Sequence, residues 1–288
     1  MNPNSLRFAP LALTLAFASG CVGVPTPLAP GVSGAVGVPH LGVQTSAEEL
    51  PVSGNGFTRF RPRSDRYFGH PRLVKGLVRV AAELDARFPG TSPLVVGDLS
   101  ARHGGKISGH NSHRTGRDVD LLLFYKTPAG ASVRAPGFIH VESDGLALVS
   151  GTSDYLRFDV EKTWELVKLL VEDDELRVQF IFGSRVLESL LVDYALARGE
   201  RLDVVYRAQA VLLEPGDSLN HDDHFHVRIA CSPEDEVAGC SGGGPVWEWL
   251  PGGPPPFELT HDELHAISTD DPLVPDDGVA GLVPGGGA

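Results

Sequence analysis

Gly116-Arg117-Asp118-Val119-Asp120-Leu121-Leu122-Leu123-Phe124-Tyr125 is the stretch on which the reading of this chain turns. Its apolar part, residues 119–125, is rich in strand-forming side chains. Alternate residues of a strand face the same side, so Asp118 and Asp120 share a face. His113 lies seven positions before Asp120, and Gly116 between them permits a turn that returns the imidazole over the carboxylate. About a hundred residues further on, His224-Phe-His226 alternates in the same way at the head of a second apolar run, residues 225–230. The two histidine segments are His110-Asn-Ser-His113-Arg-Thr-Gly116 and His221-Asp-Asp-His224-Phe-His226-Val-Arg228.

Between and before these strands the pattern changes period. Leu73, Leu77, Val80, Ala81 and Leu84 recur at helical spacing over residues 71–88, and Pro89-Gly90 ends the run. A short buried strand is expected at 94–97, leading to Asp98. Residues 138–142 and 147–149 read as a hairpin around Ser143-Asp144-Gly145. Residues 158–173 and 184–198 read as helices flanking a strand at 178–182. Helices and strands alternate without strict βαβ repetition. The fold class expected is therefore α+β, with helices packed on a small, largely antiparallel sheet in a single domain, residues 57–250.

The chain has 288 residues, 42% hydrophobic and 21% charged, which suits an ordinary globular protein. Its net charge of −13 offers no basic field to displace phosphate counterions, so no nucleic-acid partner is expected. The densest basic group, Arg59, Arg61, Arg63 and Arg66, reads as a solvated entry segment. Residues 8–18 form an apolar stretch too short to span a bilayer, with Arg7 before it, as in an export signal. Small residues then lead to Cys21, as in a bacterial lipoprotein signal, although Ala18 stands where leucine is usual. A plain secretory signal is the alternative, and both place the protein outside the cytoplasm. The layout expected is a signal at 1–20, with Cys21 as the lipidation site and the only membrane attachment. A flexible tether at 21–56 and a Gly/Pro-rich tail at 251–288 flank the domain.

Three cysteines are an awkward number for an exported protein. With Cys21 lipidated, Cys231 and Cys240 remain to pair. They could stay reduced, but an oxidising compartment favours the bridge. Two histidines, one aspartate and a water would fill a tetrahedral zinc site, and only one of His224 and His226 need touch the ion. Asp118 reads as a residue that orients a ligand or caps a turn.

The arrangement His113-x-x-Gly116-x-x-x-Asp120 with His224-x-His226 resembles the metal signature of lysostaphin-type endopeptidases, D-Ala-D-Ala metallopeptidases and the hedgehog amino-terminal domain. Arg66-Tyr-Phe-Gly-His-Pro71, Gly97-Asp98, Gly104-Gly105 and Gly109-His-Asn-Ser-His113 extend the likeness to the penicillin-insensitive murein endopeptidase family over residues 60–250. The resemblance implies one zinc ion held by His113, Asp120 and His226. It implies His224 as catalytic base, with His110 and His221 lining the site. It also implies peptidoglycan as partner, in the periplasm or secreted, and hydrolysis of D-Ala–meso-diaminopimelate cross-links. Trimming of terminal D-Ala, or a zinc-stabilised wall-binding module without catalysis, are the alternatives.

Overall fold

The computed structural model describes residues 34–216, 221–242 and 244–250. The signal, Cys21 and the tail from 251 onward lie outside the described residues.

A seven-stranded mixed sheet organises the body. Its order is Leu212–Leu213, Val178–Phe182, His224–Ile229, Asp118–Leu122, Leu94–Val96, Phe57–Arg59 and Ser53–Gly54. The pairings of Val178–Phe182 with Leu212–Leu213 and of Phe57–Arg59 with Leu94–Val96 are parallel, and the other four are antiparallel. The α+β expectation therefore holds. The two central strands carry the histidine and aspartate motifs, and their register sets His226 opposite Asp120 and Arg228 opposite Asp118. On the other face of the same strands Val119, Leu121, Phe225, Val227 and Ile229 are fully buried.

Helix α1 (Pro71–Arg87) starts where His70 accepts the Arg72 N–H through Nδ1 at 3.2 Å, with Pro71 preset for the first turn. It buries Leu73, Leu77, Val80, Ala81 and Leu84, the residues whose spacing announced it. Helix α2 (Val160–Glu172) is capped by Asp159 and α3 (Arg185–Arg198) by Ser184. Gly199 closes α3 in the left-handed conformation. Helix α4 (Leu202–Val211), which the sequence reading did not foresee, packs on α2, α3 and the strand Val178–Phe182. Ser143-Asp144-Gly145 does turn the chain. However, Leu146–Leu148 pairs with Tyr155–Phe158, not with 138–142. Helix α2 accordingly begins two residues later than expected.

The tether assignment needs correction over residues 34–56. Gly34–Val38 and Leu41–Thr45 form an antiparallel hairpin, and Glu48–Glu49 pairs with Phe68–Gly69. Low charge and abundant Gly and Val describe a buried hairpin as well as a linker. Here Ala35 and Val36 are buried, and Ala35 packs on the Cys231–Cys240 disulfide. Gln44 donates through Nε2 to Ala101 O at 2.7 Å and Phe68 O at 3.3 Å, tying the hairpin to the loop before His113. Gly116 passes beneath it at φ 71°, where a Cβ would lie 1.7 Å from Gln44 Oε1, so no larger residue fits. Within the disulfide-closed loop, Ser232 and Asp235 form a reciprocal cap on α5 (Pro233–Val237), and Asp235 Oδ1 accepts from His70 Nε2 at 3.0 Å. The compact body ends at Pro245, five residues earlier than expected, and Val246–Leu250 belongs to a separate unit.

A tether would tolerate any substitution in the hairpin, whereas a packed hairpin discriminates by burial. Gln44→Ala, at a residue 2% exposed, is expected to cost ~1–3 kcal/mol of unfolding free energy. Leu41→Ala, at a residue 55% exposed, should stay within about 0.5 kcal/mol. Urea titrations of the two variants check this.

Candidate metal centre

Register and backbone bonds together place Asp120. Its N–H donates to Asp98 O at 3.1 Å and its carbonyl accepts from Gly97 at 2.8 Å. Gly97 is small because a Cβ there would lie 3.0 Å from that of Asp120. The Asp120 carboxylate is thus fixed beneath a loop, and His113 descends from that loop. His113 is one of three non-glycine residues with positive φ, at 62°, among the described residues. Strain of that kind persists where surrounding bonds over-determine it. Here Ser100 Oγ donates to the His113 carbonyl, and the His113 Nδ1–H donates to Leu99 O.

Four imidazoles point inward at Asp120, and each has its outward nitrogen tied down. The His113 Nε2 lies 3.2 Å from Asp120 Oδ1. His226 donates through Nε2 to Asp118 Oδ1 at 2.7 Å, leaving Nδ1 3.5 Å from Asp120 Oδ1. His224 bonds Asp223 through Nδ1, leaving Nε2 3.6 Å from the same oxygen. His110 bonds Asp98 Oδ2 through Nε2 at 3.1 Å, and its Nδ1 stands 3.7 Å from Asp120 Oδ2. Ligands of a tetrahedral zinc ion, each about 2.0–2.1 Å from it, stand about 3.3 Å apart, which these separations approach. An outer acceptor fixing tautomer and ring orientation is the usual support of a metal-binding histidine.

His110, His113 and Asp120 offer donor atoms all within 4.8 Å of one another, a cluster suited to a metal ion. His110, expected only to line the site, belongs to this donor set. His113 Nε2 and Asp120 Oδ1 are buried, and neither has a hydrogen-bond partner. Leaving such atoms unsatisfied costs ~1–3 kcal/mol each, and a cation between them would remove that cost. The donor set, nitrogen and carboxylate oxygen, fits zinc. His221 stands further out, its ring 5.0 Å from that of His224.

Charge follows the same logic. Burial alone would raise both Asp118 and Asp120, but neighbouring basic side chains and hydrogen-bond donors outweigh it and hold both well below the usual carboxylate range. For Asp118 these are Arg228 and His226, and for Asp120 they are His113, His224 and His226. Burial opposes protonation of His113, yet Asp120 beside it raises its pKa to about 9. Burial pushes His226 down to about 4 despite its bond to Asp118, which keeps it neutral and able to coordinate. His224 is raised: burial opposes, while Asp223 and Asp120 prevail.

The arginine group read as a solvated segment is different in the structure. Arg59 is buried, bonded to the Leu50 carbonyl and lying 4.4 Å over the Tyr67 ring. Arg61 and Arg66 meet Asp98 Oδ2 at 3.3 and 3.1 Å, directly behind His110. The sequence reading also missed Asp223 as a histidine partner. A carboxylate beside a histidine is too common a pair to stand out.

Residues 35–246 match the sequence model of the penicillin-insensitive murein endopeptidase family. The chain belongs to that family. It is 27% identical over 254 residues to the penicillin-insensitive murein endopeptidase of Klebsiella pneumoniae strain 342, covering 81% of this chain and 84% of that protein. The protein of the same name from Haemophilus influenzae is 28% identical over 228 residues, covering 77% and 71%. That from Salmonella heidelberg strain SL476 is 28% identical over 214 residues, covering 72% and 70%. Membership, together with the His110, His113 and Asp120 cluster, makes this chain a metal-dependent peptidase. No helix among the described residues is long and apolar enough to cross a membrane.

Metal and proton compete for His113. Zinc binding at neutral pH is expected to release close to one proton, and apparent affinity should climb as pH rises toward about 9. Calorimetric titrations in buffers of different ionisation enthalpy measure the release. His113→Ala should abolish it and weaken binding.

Proposed function

We propose that this chain is a zinc D,D-endopeptidase that hydrolyses D-Ala–meso-diaminopimelate cross-links in peptidoglycan. The observation that carries the reading is the convergence of inward imidazole nitrogens on one buried carboxylate whose Oδ1 lacks a hydrogen bond. The relatives' shared name supports the substrate class. His113 Nε2, Asp120 Oδ1 and His226 Nδ1 would hold the ion, with His110 beside them.

Zinc bound there would bring the pKa of a water near 7 and polarise the amide carbonyl. The chain's own residues supply the proton traffic. With Nδ1 held by Asp223, His224 presents Nε2 to the cavity. That nitrogen accepts the proton lost as water attacks the amide and then delivers it to the departing amine. The Phe138 ring, 5.1 Å from His224 and edge-on to it, walls that side from solvent. No serine or other side chain attacks the substrate, so a β-lactam finds nothing to acylate.

The Cys231–Cys240 disulfide supports folding in an oxidising compartment, in keeping with export through a signal at 1–20. We place the protein in the periplasm, anchored through lipid on Cys21.

Purified sacculi digested with the zinc-loaded protein should yield monomeric muropeptides from dimers. The reaction should stop with chelator, resume with zinc and ignore penicillin. Release of free D-Ala instead would mark a carboxypeptidase, and unchanged sacculi would mark a binding module. His224→Ala should keep its zinc while kcat falls roughly 10²–10⁴-fold.

A further inference from the structure

The arginines of the entry segment are unused by the chemistry above, yet two lines of contact carry one of them to the rim of the site. Along the first, Arg61 meets Asp98 Oδ2 at 3.3 Å, Asp98 holds His110, and His110 faces Asp120. Along the second, the Arg61 guanidinium lies over the Phe60 ring at 5.4 Å. Phe60 meets Phe138 edge-on at 5.4 Å, and Phe138 meets His224 edge-on at 5.1 Å. Arg61 therefore touches both the Asp98–His110 pair and the Phe60–Phe138 pair that borders His224.

The neighbouring arginine is already committed. Arg66 donates to Asp98 Oδ2, to Ser108 O and to Ser108 Oγ, which pins the loop carrying His110. Arg61 gives one nitrogen to Asp98, and its side chain remains 54% exposed while that of Asp98 is 3% exposed. Two guanidiniums on one buried carboxylate leave a local positive excess, in a chain whose net charge is −13. An anchored, outward-facing guanidinium is suited to a carboxylate, which it can grip with two parallel N–H bonds.

We propose that Arg61 is a specificity-determining residue that takes the free α-carboxylate on the leaving-amine side of the scissile bond. This inference rests on the D,D-peptidase reading, in which the residue after the cut carries such a group. Asp98 is its anchor and sets the direction of the guanidinium.

The test compares two cross-linked muropeptide dimers that differ only at that group, one with the free carboxylate and one amidated. The wild-type protein should favour the free acid by roughly 10–100-fold in kcat/KM, the value of a charged hydrogen bond. Arg61→Ala and Arg61→Gln should both lose the preference, mainly through KM, while Arg61→Lys keeps part of it. Arg63→Ala, exposed and two positions away, is the control and keeps it in full. A readout without turnover uses the zinc-loaded His224→Ala protein: adding Arg61→Gln should weaken calorimetric binding of the free-acid dimer at least about tenfold. Equal rates on both dimers, or an undiminished preference in the Arg61 variants, overturns the proposal. Failure of wild type to cleave either dimer overturns the D,D reading instead, and this inference falls with it.

Discussion

A single buried carboxylate governs this molecule. Asp120 sits on a central strand with both backbone polar groups bonded to the neighbouring segment, so its side chain has one direction to point. Around it stand the inward nitrogens of His110, His113, His224 and His226. Each of those rings is oriented from behind by a carbonyl or a carboxylate. Water-excluded negative charge ringed by lone pairs is unstable until a cation joins it. Asp120 accordingly raises the pKa of the buried His113 beside it.

What surrounds that centre is largely there to hold its loop. The hairpin Gly34–Val38 and Leu41–Thr45 grips the segment before His113 through Gln44 and through the pairing of Val43 with Gly104. The disulfide-closed segment after His226 supports the hairpin from the other side, since Gly37 pairs with Cys240. Buried Arg117, just after the His113 loop, donates to Ile229 O and Ser241 O and joins that loop to the disulfide segment. Loop, hairpin and disulfide therefore form one continuous brace.

The centre was legible in the sequence because strand alternation is a strict rule. Asp118 with Asp120, and His224 with His226, had to share faces, and Gly116 announced the turn. The helices α1, α2 and α3 were legible as elements, α1 from its apolar spacing and its Pro89-Gly90 stop. Helix α4 carried the same signal in Val204, Ala208 and Val211, so its omission was not forced by the physics. The hairpin was harder. Gly-Ala-Val-Gly-Val has the composition of a linker, and only the burial of Gln44 and Ala35 against distant residues distinguishes the two. Likewise, no local pattern tells that Asp98 faces His110 and two arginines, because those partners come from two other segments.

The pairing of Gly37 with Cys240 has a kinetic meaning as well as an architectural one. Contacts that distant in sequence carry the closure entropy of a long loop, which other contacts must offset. Strand His224–Ile229 is similarly remote from the His113 loop that it completes. A nascent chain emerging from the ribosome therefore holds only half of a centre until its final strand is made. The centre is complete only once His224–Ile229 has been made and has paired with Asp118–Leu122.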